Sequence, residues 1–174
     1  LDAGFAVKAL VRNPAKVTLN NPALTLVKGD LDNAEDIGSL IQGADFVVCL
    51  ANVPRGTKKN SSLDGFMTRV METIVAKMKN HGVKRLIFQC GAFTRLQGEA
   101  QPNCCISCLI KDCLLGWYLG EELILKENQI IADMLQSESA MIDWTLARPG
   151  MLTEGDSKGV VEPSFDKDHG ATVT

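Results

Sequence analysis

The sequence has no excess of charge of one sign and no long hydrophobic run. Its 174 residues carry 18 Lys and Arg against 21 Asp and Glu, a formal net charge of −3, and the two signs are interspersed. A nucleic-acid-binding protein usually concentrates basic residues on one surface, and this sequence shows no such cluster. The longest apolar runs, such as DFVVCLANV, are far shorter than a membrane span. We therefore predict no nucleic-acid partner and no membrane-spanning segment.

The sequence also lacks the composition of a small disulfide-bonded secreted protein. Six cysteines stand at positions 49, 90, 104, 105, 108 and 113, but 45% of the residues are hydrophobic, enough for a sizeable core. Such a chain does not need disulfides to fold. We predict a single soluble domain over residues 1–174, in the cytoplasm or another reducing compartment.

Histidine is scarce, which bears on the cysteine cluster at 104–113. Its Cys-x-x-Cys pair could hold zinc or act as a redox couple. A tetrahedral site normally needs two well-separated pairs of ligands, and His81 and His169 are both far along the chain. The favoured interpretation is buried thiols on an apolar helix, and we predict no metal site.

Short apolar runs alternate with helical patterns along the chain. The runs at 6–11, 24–28, 45–51, 84–90 and 143–147 have the length and composition of buried strands. Helical patterns lie between them at 33–42, at about 63–81 and at about 120–137. This alternation predicts an α/β fold, a doubly wound parallel sheet with helices on both faces.

The helices have recognisable ends and apolar faces. Asp32 is the predicted cap of the first helix, with Glu35 three positions on and Gly43 after its end; Ser61 or Ser62 precedes the second, which stops at Gly82. Residues 94–118 are predicted as a loop with a short helix, and 171–174 as a possible last strand. The predicted buried faces of the three helices are Ile37, Leu40 and Ile41; Phe66, Val70, Ile74 and Met78; and Leu123, Ile124, Ile130, Ile131, Met134 and Leu135.

No glycine-rich phosphate loop accompanies the first strand of this pattern. In a doubly wound sheet of order 3-2-1-4-5-6 the first strand is central, and the turn after it carries the phosphate-binding glycines. Residues 1–5 read as the tail of the first helix, capped by Gly4, so that 6–11 is the second strand. A sheet without its middle strand would leave buried backbone groups unpaired, at a few kcal/mol each.

We therefore predict that the first strand and its glycine loop lie upstream of Leu1, so that the domain is truncated at its N-terminus. The sequence ends on GATVT, a pattern that predicts the beginning of a strand, so we predict a truncated C-terminus as well. The alternative, that Leu1 is the true start of a degenerate relative, stays open.

Arg12 follows the predicted second strand, at the position that selects the cofactor in such folds. An acid there hydrogen-bonds the ribose 2′-hydroxyl of NAD, whereas an Arg accommodates the 2′-phosphate of NADP. Lys16 adds positive charge nearby, and a guanidinium can also stack on adenine. These residues favour NADP(H) over NAD(H). The alternative is a solvated surface Arg that closes the strand.

Four segments together carry a resemblance to a known family: LVRNP, GDLDN, GAD and DWTLARPG. With them the chain resembles the atypical short-chain dehydrogenases/reductases of the NmrA-like, NAD(P)H-binding group, over almost its whole length apart from residues 94–128. The resemblance implies a Rossmann-like fold and an oxidoreductase activity.

The resemblance also implies a set of site residues. The cofactor would contact the ends of successive strands, and the substrate would lie beside Phe93 and Tyr118. For Asp30 a turn-forming acid is the competing interpretation, and for Pro149-Gly150 a plain turn. The implied cofactor-binding residues are Arg12, Asn13 and Lys16 at the adenosine phosphate, Asp30 and Leu31 at the adenine, Ala51, Asn52 and Val53 at the ribose and pyrophosphate, and Gln89, Cys90, Gly91, Pro149, Gly150 and Met151 around the nicotinamide.

The chain departs from the family in its catalytic groups. Carbonyl-reducing members use a Tyr with a Lys four residues on, but the one tyrosine here, Tyr118, is followed by Glu122. Cys90 replaces a frequent serine, and Asn128 stands where relatives often have Lys. The sequence therefore assigns no catalytic residue.

The absence of these catalytic groups limits the substrates that the sequence predicts. Hydride transfer to a quinone or flavin needs no strong protein acid. We predict an NADPH-dependent reductase of a small conjugated acceptor; the alternatives are a non-catalytic NADP(H)-sensing regulator with a protein partner, or a structural subunit. The substrate and the oligomeric state stay open.

Overall fold

The computed structural model describes residues 1, 3–54, 56–57, 61–99 and 122–149. These residues form five strands, three α-helices and one short 3-10 helix, Pro14–Lys16. The predicted strands are confirmed to within two residues at each end. The elements are, in chain order, β1 Val7–Val11, β2 Leu24–Lys28, α1 Ala34–Ile41, β3 Phe46–Cys49, α2 Phe66–His81, β4 Arg85–Gln89, α3 Glu122–Ser137 and β5 Asp143–Ala147.

All strand pairing in the described residues is parallel, but it falls into two sheets. One has the order β1-β2 and the other the order β3-β4-β5. Val7 pairs with Leu24 in the first, and Arg85 pairs with both Phe46 and Asp143 in the second. Parallel strands joined through helices confirm the predicted α/β fold.

The break between the sheets falls between β1 and β3, where the predicted central strand belongs. Within the described part of the chain, β1 pairs only with β2 and β3 only with β4. The Phe5 and Phe46 rings nevertheless meet edge to face, with centroids 5.8 Å apart, at the amino ends of β1 and β3. The location of a central strand upstream of Leu1 stays a prediction.

The core lies between the three helices and one face of the β3-β4-β5 sheet. Leu86 and Phe88 of β4 are fully buried on this face, in register with Val47 and Cys49 of β3 and with Trp144 and Leu146 of β5. The core side chains of the helices include Ile37, Ile41, Val70, Met71, Ile74, Met78, Leu123, Ile131 and Leu135.

The prediction that every strand is buried is wrong for β1 and β3. Val7 is 37% exposed, Phe46 40% and Val48 47%. Phe46 and Val48 alternate with the core-facing residues of β3, so they lie on the sheet face away from the described helices. An apolar strand reads as buried whether one face or both are covered, and sequence pattern cannot distinguish the two.

The beginning of α1 differs by one residue from the prediction. Asn33, not Asp32, is the N-cap, and its Oδ1 accepts a hydrogen bond of 2.9 Å from the Glu35 N–H. The Glu35 carboxylate does not complete a capping box but pairs with Lys77 Nζ at 2.8 Å. Asn and Asp cap equally well, so two adjacent candidates leave the choice to the fold.

The beginning of α2 also differs, because neither Ser61 nor Ser62 caps it. The helix starts at Phe66 after Gly65, which has φ +74° and offers no side chain to the free N–H groups. A carboxylate from α3 takes that role, as described below. The predicted end at Gly82, in the left-handed conformation, is confirmed.

On α3 the prediction that Ile130 is buried is wrong, because its side chain is 41% exposed. Glu127 and Asn128 occupy the inner face instead and are 0 and 1% exposed. The cysteine cluster at 104–113, most of the 94–118 segment and the possible strand at 171–174 lie outside the described residues. No helix in the described ranges has the length and apolarity to cross a bilayer.

Candidate functional site

The predicted site residues follow the carboxyl ends of the strands, and these ends share one side of the molecule. α1 begins beside the end of β2, where Asp36 Oδ2 accepts from the Asp30 N–H at 2.9 Å. It ends near the start of β1, where Lys8 Nζ donates to the Gln42 carbonyl at 2.6 Å. β3 then starts beside Phe5, so the amino ends of β1 and β3 lie together. Ligands of open α/β sheets bind along such a carboxyl edge.

The end of β1 presents Arg12 to solvent. Asn13 follows, and its Oδ1 accepts from the Ala15 N–H at 3.1 Å, which caps the turn containing Lys16. The capped turn fixes the chain direction directly after Arg12. It also engages the Asn13 side-chain oxygen as an acceptor.

The end of β2 is a tight turn held by α1. Gly29 leaves no room for a side chain, because a Cβ there would lie 2.7 Å from Asp36 Oδ2. Asp30 Oδ1 accepts from the Asp32 N–H at 3.2 Å, which is the turn-forming role weighed as the alternative for this residue. Leu31 packs against the core. Asp30 is exposed, so its second carboxylate oxygen remains accessible at the edge.

The ends of β3 and β4 bring Asn52 and Gly91 to the same residue of α3. Asn52 Nδ2 lies 3.5 Å from Asn128 Oδ1, and Asn52 Oδ1 accepts from the Val53 N–H at 3.0 Å. On the other side, a Cβ built on Gly91 would lie 3.7 Å from Asn128 Nδ2. Asn128 therefore connects the two strand ends predicted to flank the nicotinamide and its ribose.

Cys90 lies inside this region as a buried thiol. Burial raises its pKa, an effect that hydrogen bonding to Thr94 and the positive charge of Arg148 only partly offset. Burial likewise raises the pKa of Cys49. A thiol that is buried and hard to deprotonate packs rather than attacks. Phe93 is half-buried in the turn after Gly91.

Arg148, which sequence reasoning did not single out, organises the loop after β4. Its guanidinium forms two hydrogen bonds with the Glu99 carboxylate, at 2.7 and 2.8 Å, and a third with the Thr94 carbonyl at 3.0 Å. The hydrogen bond from Arg148 lowers the pKa of Glu99, against a smaller opposing effect of burial. This fork joins the loop to the end of β5, next to Pro149.

Glu127 is a second residue that the sequence analysis missed. Its carboxylate oxygens accept from the Gly65 and Thr68 N–H groups at 2.9 and 3.0 Å, which supplies the cap that α2 lacks. The sequence did contain a signal for this role. The buried stripe of α3 has a residue at every fourth position, and Glu127 is the charged member of it, between the apolar Leu123 and Ile131. A carboxylate on the buried stripe of a helix needs donors, and helix N-termini offer them.

The cavity of about 630 Å³ lies elsewhere, at the amino ends of β4 and β5. Its lining includes Lys79, Lys84, Met141 and Trp144. Trp144 donates through Nε1 to Ser139 Oγ at 3.1 Å, and Lys79 pairs with Glu138 at 2.6 Å. None of the predicted site residues that the structure describes lines this cavity.

Three of the predicted site residues, Tyr118, Gly150 and Met151, lie outside the described part of the chain. Within that part, no group of three or more His, Cys, Asp and Glu side chains could hold a metal ion. At the carboxyl edge, the described side chains offer hydrogen bonds and positive charge.

Comparison with known proteins places the chain among nucleotide-binding folds. A model of the family described as NAD(P)H-binding matches residues 1–174. Similar solved structures include an anaerobillin reductase from Escherichia coli O157:H7 (TM-score 0.65, 13% identity, 96% of this chain and 71% of that one). A Rossmann-fold NAD(P)-binding family protein from Shigella flexneri has a TM-score of 0.55 and 23% identity, over 96% of this chain and 65% of that one.

A third similar structure was solved with a cofactor. It is an NADPH-dependent quinone oxidoreductase from Escherichia coli complexed with NADPH, with a TM-score of 0.51 and 21% identity, over 83% of this chain and 40% of that one. At these identities the likeness establishes the Rossmann-like fold. The chain spans between 40 and 71% of the length of these three proteins.

Proposed function

The chain belongs to the NAD(P)H-binding family, and we propose that it is an NADPH-dependent reductase of a small conjugated acceptor of the quinone or flavin type. The observation that carries the proposal is the exposed guanidinium of Arg12 at the carboxyl end of β1, directly before the capped turn of Asn13. A solvent-facing cation at this position suits a ribose 2′-phosphate.

The choice of acceptor follows from what the carboxyl edge offers. Its described thiols, Cys49 and Cys90, are both buried, and Arg148 is engaged with Glu99. A buried thiol is screened from a substrate and an Arg does not give up its proton, so none of these groups is suited to protonate a developing alkoxide. An acceptor that delocalises the incoming charge removes that need, because the hydride itself comes from the nicotinamide. The three solved structures include two reductases, one of them a quinone oxidoreductase.

A further strand is part of the proposal. We infer that a strand from outside these 174 residues pairs with β1 and β3 and continues into a glycine-rich loop over the cofactor phosphates. Among the described residues β1 and β3 each have one edge without a paired strand, which supports this inference, as do the exposed Val7, Phe46 and Val48 beside these edges. Protein expressed from the complete coding sequence should therefore bind NADPH more tightly than the 174-residue chain alone.

The test of the cofactor assignment is a pair of variants with the same loss of positive charge. Arg12→Ala removes a cation at the carboxyl edge, and Lys84→Ala removes one at the amino edge beside the cavity. In protein from the complete coding sequence, we expect Arg12→Ala to weaken NADPH binding by about 10- to 100-fold, as for loss of a charge-assisted phosphate contact. NADH binding should change little, and Lys84→Ala should behave as wild type. The reverse pattern would exclude the assignment.

The second candidate function is a non-catalytic one, either an NADP(H)-sensing regulator or a structural subunit of a larger assembly. The scarcity of suitable proton donors among the described residues of the carboxyl edge also supports this candidate. Steady-state NADPH oxidation with a panel of quinones and flavins separates the two, since only the reductase turns over. Tight NADPH binding without turnover on the whole panel would favour the regulator.

A further inference from the structure

The loop after β4, residues 91–99, forms no helix or strand, yet the backbone of residues 94–97 within it is fully hydrogen-bonded. Each N–H group of residues 94–97 donates to a protein acceptor, and each carbonyl accepts from a protein donor. A surface loop ordinarily leaves some of its backbone groups to water. The protein itself therefore fixes the course of this loop.

Two glutamine side chains of α3 supply half of these hydrogen bonds. Gln129 Oε1 accepts from the Arg95 N–H at 3.0 Å, and Gln129 Nε2 donates to the Arg95 carbonyl at 2.8 Å. Gln136, two helical turns further on, makes the same pair of hydrogen bonds with Gln97, at 2.9 and 3.2 Å. Alternate residues of an extended chain turn both backbone groups to the same side. Gln129 and Gln136, the glutamine clamp, therefore bind the loop as a neighbouring strand would.

The Gln129 amide has only one orientation that satisfies its surroundings. Its Nε2 also donates to Asp133 Oδ1, at 3.0 Å, so both of its N–H groups are used. A flipped amide would place its oxygen against the Asp133 carboxylate and the Arg95 carbonyl, which are both acceptors. Asp133 thus holds Gln129 in the orientation that the loop backbone requires.

The clamped loop lies at the carboxyl edge of the sheet. It begins at Gly91, directly after β4, and Arg148 at the end of β5 donates to the Thr94 carbonyl at 3.0 Å. Phe93 is half-buried immediately before the clamped residues. Ligands of open α/β sheets bind outside this edge, so a group that fixes the loop also fixes one wall of the ligand site.

We propose that Gln129 and Gln136 are positioning residues for the substrate. By holding residues 95–97 against α3, they keep the loop after β4 as a preformed wall against which the quinone or flavin packs beside Phe93. This inference rests on the proposed function and adds two residues that touch neither substrate nor cofactor. A substrate that packs against a loose loop must order it on binding, and a preformed wall removes that loss of affinity.

The experiment uses protein from the complete coding sequence with both clamp residues changed, Gln129→Met and Gln136→Met together. Met keeps the length and helix propensity of Gln but has no amide. We expect faster hydrogen exchange at the Arg95 and Gln97 amides. Because the ordered loop becomes a minor population, the KM for a quinone should rise by about 10-fold while kcat stays within about twofold. The NADPH dissociation constant should not change.

Gln42→Met is the matched control, since Gln42 is exposed at the end of α1, where its carbonyl accepts from Lys8 at the amino edge. It should leave the exchange rates of the loop and the KM as in wild type. Gln136→Met alone guards against misfolding of the double variant. Its clamp contact is exposed, so it should fold and give a smaller rise in KM.

Three results would overturn the inference. They are an unchanged KM in a variant whose loop exchanges faster, unchanged exchange of the loop in the folded double variant, and a loss of NADPH affinity equal to the rise in KM. A pair with a merely structural role would speed exchange and lower the melting temperature without moving the KM. Absence of turnover in the wild type would instead overturn the proposed function on which the inference rests.

Discussion

The two faces of the β3-β4-β5 sheet differ in what covers them. Leu86 and Phe88 point toward the helices and are fully buried, while Ile87 between them is only half-buried and its neighbour Val48 is 47% exposed. On that second face, Arg85 reaches across to Asp143 and Thr145 through polar contacts. The described helices thus cover one side of the sheet, and that side holds the buried core.

The largest expected effect comes from cutting adjacent residues of β4 back to alanine. Leu86→Ala on the helix-covered face should lower the free energy of unfolding by about 2–5 kcal/mol, since it removes a fully buried side chain and leaves a cavity. Ile87→Ala removes a side chain of equal size from the other face and should cost clearly less. Urea unfolding of the 174-residue chain measures the free energy of unfolding of both variants. Equal losses would contradict the claim that the two faces of the sheet differ in burial.

A smaller loss of stability is expected when the hydrogen bonds between the Glu127 carboxylate and the N-terminus of α2 are removed. Glu127→Ala leaves the Gly65 and Thr68 N–H groups without an acceptor and should destabilise the domain by about 2 kcal/mol, the range for a buried cap. Glu72→Ala, at an exposed position of α2, is the control and should be close to neutral. If Glu127→Ala were equally neutral, α2 would not depend on this cap.

The smallest effect concerns the Glu99–Arg148 pair at the carboxyl edge. The pKa of Glu99 is lowered in the folded protein, so the pair stabilises fully above the unfolded pKa of glutamate, about 4.3, and this contribution is lost as the pH falls below it. Because the pair is partly solvated, we expect less than about 1 kcal/mol. Glu99→Gln should flatten the wild-type decline in stability between about pH 5 and pH 3. An unchanged pH profile in the variant would assign that decline to other carboxylates.

The sequence was sufficient for elements that depend on local pattern. The five strands, and the helix end at Gly82, follow from apolar runs and a glycine that can adopt positive φ. The break in the sheet of the described residues was also predictable, because no glycine-rich loop accompanies the first apolar run and residues 1–5 read as the tail of a helix, which makes that run the second strand of the fold.

The features that could not be predicted from the sequence depend on contacts between distant segments. The cap of α2 by Glu127 joins residues about 60 positions apart, and the Arg148–Glu99 fork joins residues 49 apart. The exposure of Val48 and Ile130 depends on which surfaces their neighbours leave open. Periodicity identifies the inner face of α3 but not that Glu127 and Asn128 belong to it, because their polarity contradicts the pattern.

Hydrogen exchange with and without NADPH, on protein from the complete coding sequence, tests most directly whether the cofactor spans the carboxyl edge of both sheets. We predict slower exchange on binding at residues 11–13 and 29–31 of the first sheet and at 50–53 and 89–94 of the second. Residues 79–84 and 139–144, around the cavity at the amino edge, should exchange as before. Protection confined to those cavity residues, or to one sheet alone, would contradict the account.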